Sequence, residues 1–251
     1  MVSTPFDTVK STTQEYLSAL LAALGLVLLG FLLSSLFQYP LIATLSLLDI
    51  PVESGVGSVG VTLVQGVAFV VVVVSYSRYA DHPNLLVTRW PSMSNLQRTL
   101  RDICWVVFGF AGLLIFSRLS NLILQQFGFS VGTNQIIRAV EQSPTLALAM
   151  VLLSILVVGP SEELLFRGGA QGIFRRVFRP IPAIISSSAL FGLAHATAVV
   201  ASSSSSGIWG YVVSAFVLGL ILGGLYEYTN NILIPIVVHG AYNALVFFQY
   251  V

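Results

Sequence analysis

The stretch IPAIISSSALFGLAHATAVVASSSSSGIWGYVVSAFVLGLILGGLY, from Ile181 to Tyr226, contains no Asp, Glu, Lys or Arg. One bilayer crossing takes roughly 20 apolar residues, so this run is too long for one span and long enough for two. The serine-rich segment Ser202–Gly207 reads as the turn in its middle, which gives spans at about 181–200 and 208–226. Backbone polar groups in lipid must be paired, so the spans are helices. The valines do not argue for strands, because the runs lack the alternation of a membrane barrel.

Further apolar runs lie on both sides. Tyr228–Val251 follows, and Leu146–Gly159 precedes, running into Glu162 and Glu163. Upstream are Ile103–Leu124, interrupted by Arg118, then Val56–Ser77 and a span at about 17–37. The expected fold is an all-α, polytopic transmembrane bundle of about seven spans, within a range of six to eight. Composition agrees. Of 251 residues only 8% are charged and 56% are hydrophobic, with a mean hydropathy of +0.90. So few charges cannot cover a soluble globule, and disorder, a soluble nucleic-acid binder and a disulfide-stapled module are excluded. Cys104 is the only cysteine, so neither an internal disulfide nor a Cys-rich metal site can form. The net charge of +1 points to no class of charged partner. The N-terminus does not read as a secretory signal.

Arginines set the expected orientation. Arg78, Arg89, Arg98 and Arg101 lie between spans two and three, Arg175, Arg176 and Arg179 follow span four, and Lys10 precedes span one. The alternate loops are poor in basic residues: 38–55 and 201–207 have none and 125–145 has only Arg138. An N-terminus inside puts every basic-rich loop in the cytoplasm of a multi-pass cell-membrane protein. Segment 78–102 is expected along the cytoplasmic interface and a short helix within 125–144 on the other side. Residues 1–145 are expected to carry three spans and residues 146–251 a catalytic core of four, in one integrated membrane domain. The spacings Gly168/Gly172 and Gly219/Gly223 suit close helix packing.

Ionisable groups inside membrane helices are costly and usually functional. Four places stand out: Ser161-Glu162-Glu163-Leu164-Leu165-Phe166-Arg167, Phe191-Gly192-Leu193-Ala194-His195, His239-Gly240-Ala241-Tyr242-Asn243, and, more weakly, Glu227. Glu163 and Arg167 are one helical turn apart and can neutralise each other with a forked hydrogen bond. Glu162 is rotated by roughly 100° from Glu163 and is left over for other work, such as that of a general base. His239 and Asn243 share a face and could together hold an oxyanion. Glu162 and His195 could polarise a water for amide hydrolysis without a covalent intermediate. Alternatively Glu162, His195 and His239 form a two-His, one-Glu zinc set with an open position. The spacing alone leaves both readings open.

Other proteolytic chemistries lack their residues. There is no His-Glu-x-x-His and no Gly-x-Ser-x-Gly. The aspartates Asp7, Asp49, Asp81 and Asp102 all lie outside the late spans. Cys104 sits in an apolar span, where a thiol is usually inert.

The ordered set Glu162-Glu163-x-x-x-Arg167, Phe191-x-x-x-His195 and His239-x-x-x-Asn243 on late hydrophobic segments resembles the CPBP family of intramembrane proteases. This family includes the Ras-converting-type CAAX prenyl endopeptidases and the prokaryotic Abi and bacteriocin-processing proteins. The resemblance covers about residues 146 to 251. It implies an intramembrane endopeptidase acting on membrane-associated peptides or proteins, in which Glu162 and His195 activate water and His239 and Asn243 stabilise the oxyanion. Glu163 and Arg167 take supporting roles. It leaves the cofactor open between zinc and none, since the family is often called a metalloprotease family while its better-understood members look glutamate-dependent. It also implies a cavity open toward the cytosol. Arg167 and the start of the last span fit that expectation. His195 fits less well, some 13 residues along its span from Pro182, which requires a later helix start or a deep cavity. Two other classes stay in view: a non-catalytic membrane scaffold or immunity protein, and a transporter with a Glu162–His195 proton relay. Inverted repeats would favour the transporter, and none is apparent. The expected partners are the substrate and the lipid bilayer, and not a nucleic acid.

Overall fold

The long helices follow from the apolar runs, and their ends are set by local hydrogen bonding. Thr12 caps the first helix: its hydroxyl accepts from the Glu15 backbone N–H while the Glu15 carboxylate accepts from the Thr12 N–H, a reciprocal capping box. In the computed structural model, which describes residues 12–79, 90, 95–200 and 203–251, this helix is α1 (Thr13–Leu47). α2 (Gly55–Tyr79) and α3 (Leu96–Gln126) follow. The short α4 (Gln135–Val140) lies in the expected place before α5 (Pro144–Phe174). α6 (Pro180–Ala194) ends in a 3-10 turn over His195–Ala198, and α7 (Ser205–Thr229) and α8 (Leu233–Phe248) complete the bundle. There is no strand among the described residues.

Six helical segments are long and apolar enough to cross a membrane, so the chain is a multi-pass membrane protein. Six lies within the expected range of six to eight, and the run expected as a seventh span forms a shorter apolar helix. The run Tyr228–Val251 is broken at Asn230, which adopts a left-handed conformation (φ 47°) and ends α7. Only 16 residues remain in α8, about 24 Å of rise against a hydrocarbon core of about 30 Å. The interfacial segment expected over 78–102 falls largely outside the described residues, as do Lys10 and Arg89.

Successive helices run up and down, so the bundle has two ends. At the first, Tyr16 stacks on Phe178 (5.0 Å) and Asn231 donates toward Asp102 (3.5 Å). At the second, the Gly132 N–H donates to the Gly207 carbonyl (2.9 Å), and α4, the start of α5 and the end of α8 share the apolar cluster of Val140, Leu146, Ala147, Met150 and Phe247.

α5 and α8 touch through their backbones. A Cβ on Gly159 would lie 3.0 Å from Gly240 Cα and from the Ile236 carbonyl, and a Cβ on Gly240 3.0 Å from the Ser154 carbonyl. Glycine at both positions allows that approach without displacing the facing backbone, and it brings the acidic pair of α5 against His239. Gly219 and Gly223 pack against α6 and α5, near Ser188 and Gln171, in keeping with the packing expected of them.

Candidate active site

α5 is not a regular helix. Its turns widen to π-helix over Ser154–Val158 and again over Leu164–Gln171, leaving Gly159–Glu163 as an α-helical island. Pro160 explains the first widening, because its ring crowds the carbonyl four residues back and offers no N–H to it. Such π turns recur at functional sites. The acidic pair therefore sits on a short, shaped piece of helix at mid-bundle.

The two glutamates point differently. Glu163 is fully buried, with Oε2 3.0 Å from Arg167 Nε and Oε1 2.8 Å from His239 Nδ1. Arg167 is equally buried and lies under the Phe191 ring, 4.8 Å from its centroid. Glu162 turns into a cavity. Its Oε2 is 3.8 Å from His195 Nε2 and 3.9 Å from His239 Nε2, and has no direct hydrogen-bond partner. Asn243 Nδ2 lies 3.1 Å from His239 Nε2. Glu162, His195, His239 and Asn243, from three separate helical segments, thus meet at one point, and Glu163 and Arg167 stand directly behind them.

The tautomers follow from the partners. His195 Nδ1 is 2.7 Å from the Phe191 carbonyl, which only accepts, so Nδ1 carries the proton and Nε2 presents a lone pair toward Glu162. In His239, Nδ1 donates to the Glu163 carboxylate, and the neutral ring accepts the Asn243 amide at Nε2. His239 and Asn243 share a face, as their spacing predicts. They are bonded to each other, however, so the neutral imidazole has no free N–H for an oxyanion.

The zinc set does not fit these positions. His239 Nε2, the atom that would face a metal beside Glu162, is occupied by an amide donor, which leaves two ligand atoms where three are required. Among the described residues no group of three His, Cys, Asp or Glu side chains is placed to hold a metal ion.

Phe191 is more central than its motif position suggests. Its ring contacts Phe166 (5.0 Å), His195 (4.2 Å) and His239 (5.7 Å), so it screens the Glu163–Arg167 pair from the cavity and fixes both imidazoles. Tyr211 went unnoticed in the sequence. It lies 6.2 Å from the His195 ring and accepts from Asn134 (3.4 Å). A tyrosine in an otherwise apolar span was the only available signal. Glu227 is not brought to the site. It pairs with Arg175 (2.9 Å) and Gln171 (3.4 Å) at the first end of the bundle.

The cavity measures about 1450 Å³. Its exposed lining includes Glu53, Gln125, Thr133 and Gln135 at the second end, and also the apolar Leu28 and Leu193. Residues 175–179 and 230–232 do not line it. His195 explains the geometry. α6 begins at Pro180, earlier than the sequence suggests, and its 15 residues rise only about 22 Å. At His195 the α-helix gives way to the 3-10 turn that completes the segment, and irregular backbone is tolerated where it lines a cavity. Arg167 and the start of α8 lie toward the arginine-rich end, whereas the exposed polar residues of the lining lie at the other end.

Residues 144–245 match the family model of the type II CAAX prenyl endopeptidases, Rce1-like. The family whose model matches and the family that the motifs resemble are the same, and a membrane protease role is supported. No curated protein and no solved structure matches the chain.

Proposed function

We propose that the protein is an intramembrane endopeptidase that hydrolyses peptide bonds with a water held between Glu162 and His195. The observation that carries the reading is the 3.8 Å separation of Glu162 Oε2 and His195 Nε2, both facing the cavity. Such a gap lets one water oxygen bridge two acceptors, and a base must reach the proton directly or through one water.

In this reading Glu162 takes a proton from the water as its oxygen bonds to the peptide carbonyl carbon. Negative charge moves to the carbonyl oxygen. The second N–H of Asn243 donates to that oxyanion. Glu163 behind His239 fixes the imidazole through Nδ1, and Arg167 holds Glu163 in place. The C–N bond breaks as Glu162 passes that proton to the amine nitrogen, and the new carboxylic acid then gives its own proton to the amine, leaving a carboxylate and an ammonium.

Purified protein in detergent, Glu162→Ala and His195→Ala test the reading against membrane peptides. Abolished cleavage with unchanged melting supports it. Full activity in both variants overturns it. A scaffold or immunity protein would show lowered melting in both variants and no cleavage at any time. A transporter would show proton-coupled flux in liposomes.

A further inference from the structure

α1 and α2 pack closely along one part of their length and separate along another. Where they are close, a Cβ on Gly30 would lie 3.3 Å from the Phe69 ring and one on Gly60 3.1 Å from Leu41. Toward the first end of the bundle the two helices leave a groove of about 460 Å³. Gly25 opens it, since a Cβ there would meet nothing within 4 Å. Leu26 and Val72 in its lining are buried, whereas Leu29 and Val71 are exposed. The lining runs from Ala22 to Leu33 on α1 and from Val71 to Tyr79 on α2, about 12–16 Å of helix. That is close to half of a hydrocarbon core of about 30 Å, the depth of one leaflet. The end of the groove nearest the first end of the bundle is polar. It carries Tyr76 and Tyr79, and the Arg176 guanidinium lies 5.9 Å from the Tyr76 ring centroid. Arg176 and Arg78, the neighbour of Tyr79, are exposed. Among the described residues neither has a carboxylate partner, unlike Arg175, which pairs with Glu227.

We infer that this groove binds an acyl chain of an anionic phospholipid, with the phosphodiester of its headgroup on Arg176 and Arg78. The apolar walls of a groove on the outside of a membrane bundle suit a hydrocarbon chain. A chain lying one leaflet deep carries its phosphate at the leaflet's edge, the level at which arginines and tyrosines anchor membrane helices. Guanidinium groups bond phosphate oxygens through charge-assisted hydrogen bonds, and basic residues at membrane helix ends favour anionic headgroups. A zwitterionic headgroup brings its own cation and leaves the two arginines without a net counter-charge. The groove shares no lining residue with the cavity of Glu162, so the inference does not rest on the peptidase reading.

The test counts bound lipid. Full-length protein is purified in detergent, stripped of lipid and titrated with dioleoyl phosphatidylglycerol or dioleoyl phosphatidylcholine, and bound lipid is read by native mass spectrometry. Phosphatidylglycerol should bind at least about tenfold more tightly, with about fivefold from each arginine. Arg176→Gln should remove about fivefold of that preference, and Arg179→Gln, at the same end but outside the groove, should change it by less than about twofold. Gly25→Phe and Val71→Trp fill the groove from opposite walls, and each should weaken binding of both lipids. Melting temperatures confirm that each variant folds, and two plugs guard against one of them misfolding. Equal losses in Arg176→Gln and Arg179→Gln would show only a diffuse attraction between the arginine end and anionic lipid, and would overturn the inference. Equal affinity of the parent chain for the two lipids, or undiminished binding in a folded plug variant, overturns it as well.

Discussion

The two ends of the bundle solve the problem of polar groups in a membrane protein in opposite ways. At the arginine end polar groups are spent on one another: Arg175 holds Glu227 at 2.9 Å and the Phe178 carbonyl at 2.8 Å, and Gln171 donates to the Gly223 carbonyl. At the cavity end polar groups line open space, and the Glu162 Oε2 among them has no hydrogen-bond partner. Groups that satisfy each other hold helices together. Groups that do not are available to a ligand or a reaction. Glu162 and Glu163 show the same contrast within two adjacent residues, since Glu163 is locked to Arg167 and His239 while Glu162 faces the cavity.

That contrast can be broken or sharpened by substitution. The largest effect on rate is expected at His195. His195→Ala should cost about 10²–10⁴ in kcat, the usual range for a group that handles the proton, with little change in melting because the ring borders the cavity. Asn243→Ala follows, at about 10²–10³ for one lost oxyanion donor, read as a fall in kcat with KM nearly unchanged. Arg167→Ala should act on stability instead. It strands a fully buried Glu163 carboxylate and should cost about 3–5 kcal/mol, as breaking a buried pair does, seen as a lower melting temperature in detergent. The smallest effect is expected at Arg175→Ala, where both side chains remain partly exposed. A shift of about 0–1 kcal/mol and unaltered cleavage would keep the two ends distinct, whereas a collapse in activity would merge them. A chelator is expected to leave cleavage within about twofold, because only two ligand atoms face the cavity as placed. Loss of activity restored by zinc would make Glu162 and His195 ligands.

Much of this could be read from the sequence, for definite reasons. Hydrophobic runs fix helices because lipid leaves the backbone no other partner, so the spans were legible to within their ends. The pairing of Glu163 with Arg167 was legible because it lies within one turn. The 2.8 Å contact of Glu163 with His239 was not, since it depends on Gly159 and Gly240 bringing two distant helices into backbone contact. The π turns around Pro160 were hidden because hydrophobicity does not report helix pitch. The extent of the cavity was hidden because it depends on where α6 ends relative to its neighbours. The awkward depth of His195 was the one local sign of it. The short α8 was masked by apolar residues on both sides of Asn230, whose left-handed turn hydropathy cannot register.

The adjacent carboxylates provide the most direct test of the account. Glu162→Gln and Glu163→Gln, each isosteric with the residue it replaces, are purified and compared for peptide cleavage and for melting. The account predicts that Glu162→Gln keeps the parent melting temperature and loses cleavage by at least about 10², while Glu163→Gln melts markedly lower because Arg167 loses its buried counter-charge. An active Glu162→Gln, or a stable but inactive Glu163→Gln, would contradict it.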